Sequence, residues 1–208
     1  MDRPKISVIV PFYRVAPFIE RCARHLLEQT LPEVEFIFVD DASPDNSRAI
    51  LEKTLKEYKR DVTILTHPVN KGLPAARNTG LAAAKGEYIF HCDSNDYLET
   101  IMLEEVYNKA IAEDANIVYT DFWLDFGESR RYMATPDYHS ADEMIKRGFM
   151  AGAMKYNVWN KIARNSLYNG LSFPKDHAMG EDMTNDCPCY KCNQSSPCGQ
   201  AALSLYEN

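Results

Sequence analysis

Four polar clusters in this chain carry side chains suited to holding an anionic small molecule. They are Pro11-Phe12-Tyr13-Arg14, Asp40-Asp41, Asn70-Lys71-Gly72 and Asp93-Ser94-Asn95-Asp96, and a fifth acidic pair, Glu181-Asp182, lies near the carboxyl end. Carboxylates can bind a hard cation or take a proton, aromatic rings can stack on a flat ligand, and Lys71 and Arg77 supply positive charge. An acidic residue after a strand often does no more than cap the next helix. Four such clusters in succession weaken that reading.

What must position these groups is an alternation of short strands and helices. Ile6 to Val10 and Val34 to Val39 are short, apolar and β-branched or aromatic, as in strands buried on both faces. Val62–Leu65, Tyr88–Cys92 and Ile117–Thr120 read as three more strands. Between them lie helical patterns. The first places Phe18, Ile19, Cys22, Leu26 and Leu27 on one face, and the second runs through Tyr58 with Asp45 or Ser47 as its cap. The third runs from about Pro74 to Lys85 and stops at Gly86, the usual residue past a helix end, and the fourth covers Ile101 to Ala112. The strands recur at the length of a βα unit, so right-handed crossovers predict an α/β fold, a mainly parallel sheet with helices on both faces. Beyond Asp121 the pattern loosens, and helices are expected at Ala141–Gly148 and around Val158–Arg164. No internal repeat or low-complexity segment is apparent.

Composition bounds the function classes. The chain has 208 residues, 45% hydrophobic and 25% charged, as in an ordinary globular domain. Its net charge of −7 argues against broad electrostatic capture of nucleic acid. No segment approaches the ~20 apolar residues needed to cross a bilayer, and the amino terminus lacks a full signal-peptide pattern, so the chain reads as cytoplasmic. In open α/β sheets ligands bind outside the carboxyl ends of the strands, where the four clusters fall. A dinucleotide fingerprint would put glycines directly after the first strand, yet Val10 to Gln29 contains none, and no P-loop occurs. A bound diphosphate is then expected to be neutralised by a carboxylate-held metal rather than by a glycine loop.

These residues resemble glycosyltransferase family two, inverting enzymes with the Rossmann-like GT-A fold that use nucleotide-sugar donors. The resemblance runs from about Ile6 to Asp182. It is carried by Ser7-Val8-Ile9-Val10-Pro11-Phe12-Tyr13, Val39-Asp40-Asp41-Ala42-Ser43, the stretch from Asn70 to Leu81, Gly86-Glu87-Tyr88-Ile89 leading to Asp93-Ser94-Asn95-Asp96, and Gly180-Glu181-Asp182. Each piece is weak alone, but together and in order they are specific. The resemblance implies that Tyr13 lies against the nucleobase, with the Pro11 backbone beside it. It implies that Asp41 accepts a charge-assisted bond from uracil N3–H, a donor that cytosine lacks. Lys71 and Arg77 would stand near the diphosphate, although Arg77 can equally pair with Asp40 or Asp93.

The stretch from Asp93 to Asp96 matches the family's metal-binding D-x-D site, so Mg²⁺ or Mn²⁺ is the implied cofactor, with Asp93, Asn95 and Asp96 as its residues. Asn95 stands where the family most often has aspartate, and its amide brings no negative charge. Asp182 is the implied base that takes the acceptor's proton, with Glu181 as fallback. Trp159-Asn160-Lys161 resembles the acceptor-side segment, where Trp159 is either a sugar-stacking platform or a core residue. The implied partners are a UDP-sugar donor and a glycan or lipid-linked acceptor in surface polysaccharide synthesis. Such enzymes commonly act peripherally at the inner membrane face.

The expected domain is 1–182, followed by an atypical Cys-rich tail over 183–208. Cys22 and Cys92 sit in apolar patterns and read as buried thiols, whereas Cys187, Cys189, Cys192 and Cys198 crowd into the tail. Three readings of the tail stand: a zinc knuckle, a disordered end, and, favoured here, a chain altered by truncation or a shifted reading frame. Two function classes therefore compete with the enzyme. One is a non-catalytic, nucleotide-sugar-binding relative, and the other is a zinc-binding interaction module acting through the tail cysteines.

Overall fold

The structure is a computed structural model, and it describes residues 3–135, 146, 157–174 and 203–204. Chain order runs β1 (Ile6–Phe12), α1 (Ile19–Leu27), β2 (Val34–Asp40), α2 (Ser47–Leu55), β3 (Asp61–Thr66), α3 (Leu73–Ala83), β4 (Tyr88–His91) and α4 (Met102–Ala112). Then follow β5 (Ile117–Tyr119), β6 (Phe122–Asp125), β7 (Arg130–Met133), β8 (Lys161–Arg164), a 3₁₀ turn over Asn165–Tyr168, and β9 (Leu203–Ser204).

The main sheet has the order β3-β2-β1-β4-β8-β5-β9. Its first four strands are mutually parallel, with Ile9 opposite Ile37 on one side and His91 on the other. The chain winds outward from β1 through β3 and then crosses back to place β4 on the far side of β1. That reversal opens a crevice at the carboxyl ends of β1 and β4, where α/β sheets take ligands.

Burial follows the sequence pattern closely in the first half. Every residue of β1 and β2 is buried, as strands covered on both faces require. Helix α1 buries Ile19, Cys22, Ala23, Leu26 and Leu27, one stripe of a 3.6-residue repeat. Phe18, expected on that stripe, stands at the helix start and is 44% exposed. Cys22 and Cys92 are buried free thiols, as expected.

Three features depart from the sequence reading. The helix expected around Val158–Arg164 is instead the strand β8, antiparallel to both β4 and β5. Ile162 and Ala163 fill the gap between those strands, and pairing on both edges outweighs the local preference of so short a segment. The antiparallel hairpin β6–β7 was not foreseen, and β9 pairs parallel with β5 at the sheet edge. Apart from Lys146, the helix expected at Ala141–Gly148 lies outside the described residues.

Gly86 also has a different role from the expected cap. Helix α3 ends at Ala83 with an extended Ala84, and a Cβ on Gly86 would fall 2.4 Å from the Ser7 nitrogen. Its N–H donates to Ser7 Oγ at 2.7 Å and to the buried Glu35 carboxylate at 3.1 Å. This knot lies at the amino ends of the strands, opposite the crevice.

At Gly80 helix α3 packs tightly on the sheet. A Cβ there would meet Ile9 Cγ2 at 2.3 Å and Val39 Cγ2 at 3.3 Å. Alanine at Gly80 or Gly86 is therefore expected to cost about 1–3 kcal/mol through overpacking. Thermal unfolding of the two variants checks this, with an unchanged midpoint as the contrary result.

Asp45 joins the first two loops beyond the sheet. Ser43 Oγ and Ser47 Oγ donate to its Oδ1 at 2.7 and 2.6 Å, and the Ala16 N–H donates to Oδ2 at 3.1 Å. Burial alone would raise its carboxyl, but the bonds from Ser47, Ser43 and the Ser47 and Ala16 backbone outweigh it and hold the group at about 2. A depressed folded value stabilises the protein while the group is ionised. The contribution is complete above the ordinary aspartate range near pH 4 and fades as pH falls towards 2. Asp45→Asn should thus melt below the parent at pH 7, with the difference closing between pH 4 and 2 in a melting series.

Candidate functional site

Where the strands end, backbone geometry turns abruptly. Arg14 and Ala42, directly after Tyr13 and Asp41, take the left-handed conformation with φ of 55° and 58°. Non-glycine residues rarely adopt it, and such strain persists only where the surroundings enforce it. Enforcement here comes from a zipper between the two loops. The Arg14 N–H donates to Ser43 Oγ at 2.8 Å and the Val15 N–H to Ser47 Oγ at 2.9 Å, and both hydroxyls pass their own protons to Asp45. Tyr13 is thereby held at the crevice rim, 37% exposed, with the Arg14 guanidinium 5.2 Å from its ring centre. Pro11 is buried within β1 opposite Val39.

Asp41 is only 3% exposed and sits in a dense web. Its Oδ1 accepts the Lys71 N–H at 2.8 Å and contacts His67 Nδ1 at 2.6 Å, while Oδ2 accepts the Gly72 N–H at 2.8 Å. Glycine suits position 72 because φ is +85° there, in the region that strains other residues. Lys71 itself is exposed, its backbone tied to Asp41. Asp40 turns the other way: its Oδ1 accepts the Ser43 N–H at 2.8 Å, so this member of the pair serves the loop.

His67 is a site residue that the sequence reading missed. It follows β3, is 6% exposed, and its Nε2 lies 2.8 Å from Thr79 Oγ1 on α3. The available signal was a titratable ring at the end of the third strand, level with the polar groups that close β1, β2 and β4.

The acidic turn follows β4. Asp93 Oδ1 takes a bond from Arg77 Nη2 at 3.1 Å, and Arg77 is 2% exposed, so this cation is committed to Asp93 from beneath. The Asp96 N–H closes the turn onto the Asp93 carbonyl at 3.0 Å. The Cys92 and Cys22 thiols lie 3.5 and 3.9 Å from that carbonyl. The bond with Cys22, together with burial, pushes the Cys92 thiol well up, leaving it an inert proton carrier. Asn95 is exposed, and its carbonyl accepts from Arg21 at 3.3 Å. Burial, then the neighbouring Asp93 charge, pushes the Asp96 carboxyl up to about 6 against the opposing pull of Arg21.

The Asp93 and Asp96 carboxylates and the Asn95 amide supply hard oxygen donors of the kind divalent ions take. Among the described residues no group of three or more His, Cys, Asp or Glu side chains could hold a metal alone. A divalent ion held there would draw its remaining ligands from water or phosphate, as Mg²⁺ commonly does.

On the other side of β4, Trp159 is half-buried and meets Phe122 of the β6–β7 hairpin edge to face, ring centres 4.7 Å apart. Lys161 is 3% exposed in β8; its Nζ donates to the Asn157 carbonyl and lies 5.0 Å from the Tyr119 ring centre. Asn160 Nδ2 donates to the Thr120 carbonyl at 3.2 Å, stitching this segment to the end of β5. Tyr97 Oη, just beyond the acidic turn, donates to Asp125 at 2.5 Å and ties the hairpin to the crevice. Glu181, Asp182 and the four tail cysteines lie outside the described residues.

So Tyr13, Asp41 and the Asp93–Asp96 turn follow the carboxyl ends of β1, β2 and β4, Lys71 is tied to Asp41 and Arg77 to Asp93, and Trp159 and Lys161 lie at β8 beyond β4.

Comparison with known proteins points the same way. The model of "Glycosyl transferase family 2" matches residues 7–180. The uncharacterized glycosyltransferase EpsJ of Bacillus subtilis is 36% identical over 191 residues, covering 86% of this chain and 54% of its own length. The poly(ribitol-phosphate) beta-glucosyltransferase of Bacillus spizizenii is 41% identical over 107 residues, covering 50% of this chain and 17% of its own. The crystal structure of S. aureus TarS 1-349 in complex with UDP-GlcNAc superposes with a TM-score of 0.74 at 25% identity, covering 89% of this chain and 53% of that one. The chain thus spans about half the length of EpsJ and of the TarS structure.

Proposed function

The chain belongs to glycosyl transferase family 2, and we propose that it moves a sugar, with inversion, from a UDP-sugar to a hydroxyl of a glycan or lipid-linked acceptor. The observation that carries this reading is that Tyr13, Asp41 and Asp93 follow β1, β2 and β4, neighbouring parallel strands that end on one side of the sheet. TarS, a structural neighbour, binds UDP-GlcNAc, which supports a uridine donor. A relative that glucosylates poly(ribitol phosphate) supports a role in building surface polymer.

In this reading the uracil stacks on Tyr13 beside the Pro11 backbone, and its N3–H goes to the Asp41 carboxylate. Three existing bonds hold that carboxylate still, so no reorganisation is needed when the base arrives. Lys71 faces the diphosphate from solvent, while Arg77 acts through Asp93 from the buried side. Asp93, Asp96 and the Asn95 amide would hold a Mg²⁺ or Mn²⁺ ion. When bound, that ion offsets the negative charge growing on the departing diphosphate. Asp182, with Glu181 beside it in sequence, takes the acceptor proton as the new bond forms. Trp159 and Lys161 shape the acceptor side through the hairpin and β8. We place the reaction in the cytoplasm at the inner membrane face on family resemblance. No helix among the described residues is long and apolar enough to cross a membrane. Residues 1–182 form the transferase domain in this reading and 183–208 its tail.

Calorimetry with UDP and Mn²⁺ tests the nucleotide site: Asp41→Asn is expected to weaken UDP binding about tenfold, the worth of one charge-assisted bond. Turnover of a panel of UDP-sugars, read as UDP release, tests the chemistry. Asp182→Asn should abolish it while UDP affinity persists, and equal turnover would remove Asp182 as base. Asn95 favours a second reading, a binding protein without turnover. Turnover by the parent chain separates the two, and Asn95→Asp is expected to strengthen metal-dependent UDP binding; unchanged metal affinity would exclude position 95 as a ligand.

A further inference from the structure

Three consecutive residues of α3 reach three different parts of the site. Arg77 holds Asp93, Thr79 holds His67 and through it Asp41, and Asn78 between them faces a distant segment. Asn78 Nδ2 donates to the Phe173 carbonyl at 2.8 Å, and Asn78 Oδ1 accepts the Phe173 N–H at 2.7 Å. One side-chain amide thus satisfies both main-chain groups of a residue 95 positions away, as a neighbouring strand would. The Phe173 ring is 5% exposed and is gripped as well, 5.5 Å from the Arg77 guanidinium and edge-on to His91 at 5.2 Å. His91 is buried and has no hydrogen-bond partner on either ring nitrogen among the described residues. It serves here as an apolar wall, and burial, then the Arg77 charge, hold its pKa well below the ordinary histidine value.

We propose that Asn78 is a positioning residue for the reaction, clamping the backbone at Phe173, from which the chain runs on to Asp182, onto the helical turn that holds Asp93. The proposal rests on the assignment of Asp182 as base. Asp182 follows Phe173 by 182 − 173 = 9 residues, a tether of at most about 30 Å fully extended. A fixed anchor at its start narrows where the carboxylate can go. The same helical turn that holds Asp93 holds this anchor. The amide offers, on separate atoms, both the donor and the acceptor that Phe173 requires. Aspartate would turn a second acceptor towards the Phe173 carbonyl, and alanine would leave both groups unpaired.

The test uses the full chain with Asn78→Asp, Asn78→Ala and the gentler Asn78→Ser. Misplacement of a reacting group lowers the rate of the bound complex, so kcat for UDP release is expected to fall about 10- to 100-fold. KM for the UDP-sugar and the calorimetric affinity for UDP with Mn²⁺ should stay within about twofold. Amide exchange at Phe173 should quicken in Asn78→Ala, which removes the acceptor of the Phe173 N–H, whereas Asn78→Asp keeps that acceptor and loses only the bond to the carbonyl. Unchanged exchange at Phe173 in Asn78→Ala overturns the clamp, whether or not turnover is detected. A parallel loss of UDP affinity and kcat overturns the positioning role and leaves a structural one, and so does unaltered kcat despite faster exchange. Asp182→Asn run alongside isolates the premise: full turnover there refutes Asp182 as base, whereas the Phe173 exchange still judges the clamp.

Discussion

The close approach of α3 to the sheet at Gly80 governs the site. With no side chain at that position the helix settles onto Ile9 and Val39, and the preceding turn arrives at the crevice at a fixed height. From there Arg77, Asn78 and Thr79 fan out by about 100° per residue, the angular step of an α-helix, to three separate loops. A helix riding higher would lose all three contacts together. The site is therefore less a set of independent side chains than one helical turn with several arms.

Charge in the crevice is managed by the backbone and by burial. Asp41 is compensated by two main-chain N–H groups and His67 rather than by a free cation, and Asp45 by hydroxyls and main-chain N–H groups. Asp93 has the buried Arg77, and Asp40 the Arg48 guanidinium at 3.7 Å. The exposed side of the acidic turn carries Arg21, bonded to the Asn95 carbonyl at 3.3 Å.

The two ends of the sheet do different work. At the amino ends of the strands, Ser7, Glu35 and Gly86 form a closed knot with little exposure. At the carboxyl ends, left-handed residues, exposed Tyr13 and Asn95, and a raised Asp96 carboxyl gather. Strain and unbalanced charge are concentrated where a ligand can relieve them, and packing is best where none binds.

Local pattern was enough to find the strands β1 to β5, the helices between them and the polar residues that close them, because buried strands and amphipathic helices impose periods of two and 3.6 along the chain. It also placed Tyr13, Asp41 and Asp93 at one edge, since parallel strands must end on the same side. Three things needed the folded chain. Lys161–Arg164 became a strand because β4 and β5 offered pairing on both sides, a fact absent from the segment itself. His67 joined the site through Asp41 and Thr79, which lie 26 and 12 residues away. Asn78 found Phe173 across 95 residues. Hydrogen bonds between remote groups leave no periodic trace in a sequence; they exist only once the backbone has brought their partners within about 3 Å.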